Sequence, residues 1–221
     1  MTLSLISVLG FIGVVAFAIS GAVLAIKKGM DIFGVNILAV IAALGGGLTR
    51  DIIIDVAPPA IFQSPISVTL AIFVANVAFL IAYFHKDIDD KLATFYDKGM
   101  FWIDTLGLAA FVVDGVSACM NTVHRDNLFL VVFVGAITGV GGGVLRDVLA
   151  NELPVIFVKH IYASAAVVGA LITALIWDKL GANLSMTIGF FVVMSVRIIA
   201  AHYNLNLPRI ERKTRNEENL A

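Results

Sequence analysis

Two short stretches of this chain place a glycine triplet, an arginine and an aspartate inside long apolar segments. They are Gly45-Gly46-Gly47 followed by Arg50-Asp51 and Pro58, and, 96 positions later, Gly141-Gly142-Gly143 followed by Arg146-Asp147 and Pro154. Glycine runs weaken helices, and an arginine or aspartate is expensive in a bilayer. Because this costly feature occurs twice, the pattern predicts a transport site at the interface of two repeats.

Each glycine triplet is predicted to break its membrane helix. Residues 31–44 form about 14 helical residues, roughly 21 Å at 1.5 Å each, so the first triplet falls inside the membrane. Unwound backbone at that depth must be buried in protein or line a water-filled path, and the carbonyl end of the preceding half-helix attracts a cation. The alternative is close helix packing, which glycine faces also permit. We expect Pro58 and Pro154 to end the two helices.

The charged side chains of the motifs need partners inside the membrane. Neighbours in sequence point about 100° apart on a helix, so each arginine is predicted to pair poorly with the aspartate beside it. We therefore expect pairs across the repeat interface, Arg50 with Asp147 and Arg146 with Asp51. Alternative counter-charges are Asp104 and Asp114. The pairs either lock the structure or control the permeant species directly.

The composition is that of an integral membrane protein. Hydrophobic residues make up 60% of the 221 residues, charged residues 14%, and mean hydropathy is +0.98, whereas soluble domains carry roughly 25% charged residues. We predict an all-α fold with seven transmembrane helices, because seven segments are long enough to cross a bilayer. These segments are residues 3–24, 31–56, 65–84, 100–119, 128–152, 157–177 and 183–203.

The duplication extends beyond the glycine motifs. Gly13, Phe17 and Gly21 of the first segment match Gly107, Phe111 and Gly115 of the fourth at an offset of 94. Three helices per repeat is an odd number, so the second copy is predicted to be inverted in the membrane. The predicted domains are a first repeat (1–84), a cytoplasmic connector (85–99), a second repeat (100–178), a seventh helix (179–203) and a cytoplasmic tail (204–221).

Three further polar residues could face an internal path: Ser20, Asp104 and Asp114. Ser20 and Asp114 occupy equivalent positions of the two repeats. For Ser20 the plainer interpretation is a hydrogen bond to its own helix, as membrane serines usually make.

The positions of the basic residues predict the orientation. Of the lysines and arginines outside the spans, ten fall on one side and two, Arg125 and Lys179, on the other. By the positive-inside rule the N-terminus lies outside and the C-terminus lies in the cytoplasm. Arg197, near the cytoplasmic end of the seventh helix, is expected to snorkel to the interface.

Several function classes find no support in the sequence. A net charge of −1 suggests no nucleic-acid partner, and the single cysteine, Cys119, excludes an internal disulfide or a multi-cysteine metal centre. The four histidines show no ligand spacing, and the chain has no His-Glu-x-x-His, Cys-x-x-Cys or Gly-x-Ser-x-Gly motif. We expect no enzyme activity and no cofactor or metal beyond a permeant potassium or sodium ion.

The paired Gly-Gly-Gly-x-x-Arg-Asp motifs in helices two and five of a seven-helix, two-repeat chain resemble the trimeric intracellular cation channel family, in its prokaryotic form, over about residues 3–203. The resemblance implies a homotrimer in lipid, with a pore in each protomer, chiefly for potassium, surrounded by helices one, two, four and five. By motif, it assigns pore or ion-binding roles to Gly45, Gly46, Gly47, Arg50, Asp51, Gly141, Gly142, Gly143, Arg146 and Asp147. Related bacterial sequences are also described as small-amino-acid transporters, notably for glycine.

Three functions remain open at this point. The leading one is a passive monovalent-cation channel of a bacterial or archaeal inner membrane. The alternative is a secondary transporter of a small solute such as glycine, whose carboxylate and ammonium the half-helix ends would hold. A structural or partner-binding membrane protein is the third. Single-channel currents would indicate a channel, whereas slow, saturable uptake would indicate a transporter.

Overall fold

Seven long helices dominate the structure, a computed structural model that describes residues 4–84, 89–158, 161–203 and 205. Within these ranges two short helices accompany them and no strand occurs. All seven long helices contain a stretch long and apolar enough to cross a membrane, which confirms the predicted all-α fold with seven spans. In chain order the helices are α1 (Leu5–Lys27), α2 (Ile32–Ile53), α3 (Ala60–Gln63), α4 (Ile66–Phe84), α5 (Asp89–Met120), α6 (Leu128–Leu149), α7 (Val155–Val158), α8 (Ala163–Leu180) and α9 (Ala182–His202).

Two helices begin more than three residues away from the predicted position. The helix α5 begins at Asp89, inside the predicted connector, although its apolar window is Gly99–Met120. The residues before Gly99 extend α5 beyond the part that is apolar enough to span the membrane. The helix α8 begins at Ala163 rather than at 157, because the short helix α7 precedes it. Residues 85–88 of the predicted connector, and residues 204 and 206–221 of the predicted tail, lie outside the described residues.

The helices α1 and α5 pack antiparallel through reciprocal contacts between glycine and phenylalanine. A Cβ built on Gly13 would lie 2.5 Å from the ring of Phe111, and one built on Gly107 would lie 2.8 Å from the ring of Phe17. The two rings stack on each other, with centroids 5.5 Å apart and an angle of 2° between their planes. Gly13 and Phe17 correspond to Gly107 and Phe111 at an offset of 94. The two repeats therefore contact each other symmetrically, with the glycine of each helix against the phenylalanine of the other.

The helices α2 and α6 run without interruption through their glycine triplets, so the predicted breaks are wrong. A Cβ on Gly46 would collide with the carbonyl oxygen of Thr138, and one on Gly142 would collide with the carbonyl oxygen of Ala42. Since the obstructing atoms belong to the backbone, they cannot rotate away. The glycines therefore serve close helix packing, the alternative that their sequence pattern also allowed.

Each of the two glycine-containing helices ends five positions before its proline, α2 at Ile53 and α6 at Leu149. Asp55 and Asn151, which follow the helix ends, have φ angles of 57° and 54°, in the left-handed region. The next amide of each segment bonds back to the carbonyl of the motif aspartate and closes the last turn. The left-handed residue, rather than Pro58 or Pro154 as predicted, ends each helix.

Candidate functional site

Arg50, in the last turn of α2, is held by two carboxylates. Its Nε donates to Oδ1 of Asp51 at 2.8 Å, and its Nη1 donates to Oδ2 of Asp114, on α5, at 2.5 Å. The side chain of Asp51 is 4% exposed, whereas those of Arg50 and Asp114 are 11% and 21% exposed. These three residues form the Arg50 cluster, which carries a formal charge of −1.

Arg146, in the last turn of α6, lies in a similar but fully enclosed group. Its Nε donates to Oδ1 of Asp147 at 2.8 Å, and its Nη1 donates to Oδ1 of Asp104 at 2.9 Å and to the hydroxyl oxygen of Ser20. The side chains of Arg146 and Asp104 are 3% and 5% exposed. The hydroxyl of Ser20 donates to Sδ of Met100 at 3.0 Å. We call Ser20, Asp104, Arg146 and Asp147 the Arg146 cluster.

The predicted exchange of partners across the repeats is wrong. Each arginine pairs instead with the aspartate that follows it and with a carboxylate of α5, which is one of the two alternative counter-charges. The prediction considered only the 100° between neighbouring Cβ atoms. The long arginine side chain can curl back to its neighbour, and the helix ends so soon after the aspartate that its carboxylate can turn. The pairs that do not form are Arg50–Asp147 and Arg146–Asp51.

The motif aspartates also cap the two short helices. Oδ2 of Asp51 accepts a hydrogen bond from the amide of Ala60, the first residue of α3, at 2.8 Å. Oδ2 of Asp147 accepts one from the amide of Val155, the first residue of α7, at 3.0 Å. The first amides of a helix have no partner within it, so each carboxylate supplies one. The Arg-Asp motif thereby fastens the chain that follows each glycine-containing helix.

A cavity of about 350 Å³ adjoins the Arg50 cluster. Its walls come from α1, α2, α3, α4 and α5, and most of the lining is apolar. This volume lies within the range of about 300–1,000 Å³ that is usual for small-ligand sites. The polar lining residues are Ser7, Arg50, Ser64, Ser67 and Asp114.

The corresponding space beside Arg146 is closed. Only about 10 Å³ remains there, bordered by Asp104, Gly143, Tyr162 and their neighbours. A gap of that size holds at most one water molecule. The two clusters therefore present opposite situations, one beside an open cavity and the other packed shut.

The stacked rings of Phe17 and Phe111 lie between the two clusters. Phe111 lines the cavity, and Phe17 faces Gly143 at the closed end. Asp104 and Asp114 are ten residues apart on α5, which places the two charged layers about 15 Å apart along that helix. A buried aromatic pair thus separates two charged layers.

The structure divides the predicted site residues into four groups. Arg50, Asp51 and Asp114 form one cluster, and Ser20, Asp104, Arg146 and Asp147 form the other. Gly47 lines the cavity and Gly143 borders the small gap. The other triplet glycines are buried in the crossing of α2 and α6; they are Gly45, Gly46, Gly141 and Gly142.

Arg197 does not snorkel to the interface, which corrects the prediction. Only 3% of this residue is exposed, and its guanidinium carbon lies 4.9 Å from the ring centre of Phe101 and 4.5 Å from that of Tyr162. Aromatic faces attract cations, so the guanidinium is stabilised inside the protein. Sequence reasoning also missed Tyr162, for which no motif gave a signal. The matched positions of Phe17 and Phe111 could have indicated their contact.

Across the described ranges no group of three or more His, Cys, Asp and Glu side chains is placed to hold a metal ion. The acidic residues of the two clusters are instead engaged with guanidinium groups and backbone amides. Apolar spanning helices around two buried charged layers, with a cavity at one of them, define a membrane protein of the channel or transporter class.

Comparison with known proteins identifies the family. The family model described as "Glycine transporter" matches residues 7–83 and 101–178, two stretches that begin 94 positions apart. The UPF0126 membrane protein YvgT of Bacillus subtilis is 34% identical over 90% of this chain and 94% of its own length. The UPF0126 inner membrane protein YadS of Escherichia coli is 33% identical over 90% of this chain and 93% of its own.

Solved structures of TRIC cation channels have the same fold. One superposes with a TM-score of 0.82 at 33% identity, covering 96% of this chain and all of the other. The TRIC orthologue from Rhodobacter sphaeroides superposes with a TM-score of 0.79 at 28% identity, covering 90% of this chain and 98% of the other. The chain belongs to this family, to which both the glycine-transporter description and the TRIC structures apply.

Proposed function

We propose that the protein is a homotrimeric channel for monovalent cations, chiefly potassium, with a pathway in each protomer. The observation that carries this proposal is the Arg50 cluster, whose formal charge of −1 lies beside a cavity of about 350 Å³. Rings of acidic groups favour cations in membrane pores. The relatives of known structure, described as TRIC cation channels, support the same function.

In this proposal the pathway runs from the cavity, past the stacked phenylalanines, to the Arg146 cluster. An apolar constriction blocks ions because water leaves it, and the Phe17–Phe111 pair has that character. Each ring packs against a glycine of the opposite helix. Sliding of α1 against α5 would therefore displace both rings at the same time. The structure then corresponds to a closed channel whose aromatic pair must part before ions cross.

The trimer and the orientation are parts of the same proposal. A relative of known structure is described as a trimeric channel, and α4 buries only Ala71 and Ala75, leaving an apolar face for lipid or a second copy. With the N-terminus outside, the cavity faces outward from the inner membrane. Light scattering of the purified protein tests the trimer. Labelling of Thr2→Cys and Glu218→Cys from opposite sides of the membrane, in a Cys119→Ala background, tests the orientation.

The decisive experiment replaces the more exposed of the two carboxylates of the Arg50 cluster. The Asp114→Asn variant makes the cluster neutral, and Asp178→Asn is the matched control, since Asp178 lies at the surface, 72% exposed, paired with Arg125. In planar bilayers we expect discrete currents from the wild type. In Asp114→Asn the cation-to-anion permeability ratio should fall about fivefold, equivalent to about 1 kcal/mol. Absence of wild-type currents, or equal ratios in both variants, would refute the proposal.

One observation favours a second candidate, a transporter of a small zwitterion such as glycine. A guanidinium and a carboxylate, from Arg50 and Asp114, both line the cavity, so they could receive the carboxylate and the ammonium of one solute. Unbroken helices leave no half-helix ends for this role. Counterflow of labelled glycine into proteoliposomes tests it: saturable exchange without discrete currents would establish the transporter and displace the channel.

A further inference from the structure

The two clusters are equivalent in sequence, but the side chains around them differ in size. A Cβ on Gly10 would meet nothing within 4 Å, whereas Asp104, at the matching position, helps to fill the second site. The small gap beside Arg146 is therefore a property of the sequence and not only of the conformation. Wall residues of the cavity with larger counterparts at offsets of 94 to 96 include Ser7, Gly10 and Ile66, which correspond to Phe101, Asp104 and Tyr162.

The guanidinium of Arg197 contacts two side chains whose counterparts are wall residues of the cavity. It lies between Phe101 and Tyr162, whose counterparts Ser7 and Ile66 both line the cavity of the first repeat. Arg197 belongs to α9, which lies outside both stretches that the family model matches. Arg197 therefore has no matching position in the first repeat.

The surroundings of Arg197 are those of a cation site. Two aromatic faces hold the guanidinium, and Asp104 borders the same gap as Tyr162. Its Nε has no hydrogen-bond partner, and none of the ion pairs among the described residues includes it. Aromatic faces attract cations in general, so the same two rings and the nearby carboxylate suit a free cation as well as a guanidinium.

Formal charges support the same interpretation. The Arg146 cluster carries −1, as the Arg50 cluster does, and Arg197 brings the closed end to zero. Among the described residues, Arg50 is the one arginine that lines the cavity at the open end. Arg197 thus neutralises the negative charge of the Arg146 cluster, whereas the negative charge of the Arg50 cluster can attract a mobile cation.

We propose that Arg197 is a tethered cation that fills the monovalent-cation site of the second repeat and so closes the pathway at that end. The proposal rests on the proposed channel function. Opening of this end then requires the guanidinium to leave the space between Phe101 and Tyr162. A permeant cation takes its place beside Asp104.

The first test measures potassium flux into liposomes that contain the trimeric protein. Arg197→Met keeps much of the apolar stem and removes the charge, Arg197→Lys keeps the charge, and Arg125→Met is the matched surface control, since Arg125 is 45% exposed. Arg197→Met should raise the flux about tenfold, a barrier lower by about 1.4 kcal/mol. Arg197→Lys and Arg125→Met should stay within about twofold of the wild type. Millimolar guanidinium should suppress the added flux of Arg197→Met and leave the wild type unchanged.

Wild-type flux in a folded Arg197→Met trimer would overturn the proposal. If Arg197→Met does not fold, Arg197→Gln provides the neutral variant. Failure of both neutral variants to fold, beside a folded Arg197→Lys, would assign the arginine to structure alone and equally overturn the proposal.

The second test does not depend on conduction. Ile156 borders the small gap and is half-buried, so Ile156→Cys in a Cys119→Ala background reports access of a small cationic thiol reagent. Adding Arg197→Met should raise the labelling rate about tenfold. Faster labelling in a protein without potassium currents would refute the proposed channel function and support the proposal that Arg197 closes this end. Unchanged labelling in a protein that conducts potassium would refute only the proposal about Arg197.

Discussion

The crossing of α2 and α6 makes the most direct prediction about stability, for the variant Gly142→Ala. The added methyl group would overlap the carbonyl oxygen of Ala42. Overlap with a flexible side chain is relieved by rotation, whereas overlap with backbone requires the two helices to separate. Separation would also loosen the reciprocal contact, where Gly46 faces the carbonyl oxygen of Thr138. We therefore expect the variant to lose stability although alanine is the better helix former.

The magnitude follows from two opposed effects. Overpacking of a well-packed interior costs about 1–3 kcal/mol, and a backbone obstacle places this site at the upper end. Replacing a helical glycine by alanine returns up to about 1 kcal/mol. The net loss is then about 2 kcal/mol, which lowers the melting temperature of a chain of this length by about 4–8 °C.

The chain contains its own probe and its own control for this measurement. Cys119 is fully buried, so reaction with a thiol-reactive dye in detergent reports unfolding as the temperature rises. Gly10→Ala is the matched control, because a Cβ there meets nothing within 4 Å. It should melt at or slightly above the wild-type temperature. Equal melting of the two variants, or a more stable Gly142→Ala, would show that the backbones do not meet at the glycine.

Three further predictions concern the charged residues. In a double-mutant cycle of Arg50→Ala and Asp114→Ala, the losses of stability should be less than additive, with a coupling of about 1–3 kcal/mol, and additive losses would contradict the pairing. Asp147→Asn should lower the melting temperature and speed proteolysis at α7, because the carboxylate that caps this helix and binds the neighbouring guanidinium is lost; unchanged proteolysis would refute the capping role. The Lys28 ammonium lowers the pKa of Glu152 from its ordinary value of 4.5 by a hydrogen bond. This pair therefore stabilises the protein above pH 4.5 and ceases to do so as the pH falls through the lowered pKa. The difference in melting temperature between wild type and Lys28→Met should be constant above pH 4.5 and should shrink below it.

The membrane spans could be predicted because hydropathy and length are local properties. Twenty apolar residues in water are so unfavourable that no tertiary contact is needed to decide where they go. The ends of the helices were less predictable. The helices α2 and α6 end because Asp55 and Asn151 adopt a left-handed conformation and the next amide bonds back to a carbonyl of the last turn. The prolines three residues later indicated only that a helix end was near.

The partners of the arginines could not be predicted, because they depend on how α5 packs. The sequence offered four carboxylates for two guanidinium groups and no distances. Asp114 and Asp104 became partners because α5 passes close to the ends of α2 and α6. Arg197 illustrates the same limit, since nothing near it in sequence indicates that Phe101 and Tyr162 enclose it.

The sequence alone determined that this chain is a seven-helix membrane protein with a duplicated motif, and it located the residues of both charged clusters. Those conclusions rest on composition, length and spacing, which folding does not alter. Tertiary structure decided what the motif does. The same glycines are compatible with an unwound helix or with a close crossing of two helices. In the structure Gly46 faces the carbonyl oxygen of Thr138, and Gly142 faces that of Ala42. These contacts between α2 and α6 show that the glycines serve a crossing. Tertiary structure also decided that one cluster lies beside a cavity of about 350 Å³ and the other beside a gap of about 10 Å³, because these volumes depend on how the helices pack around each arginine.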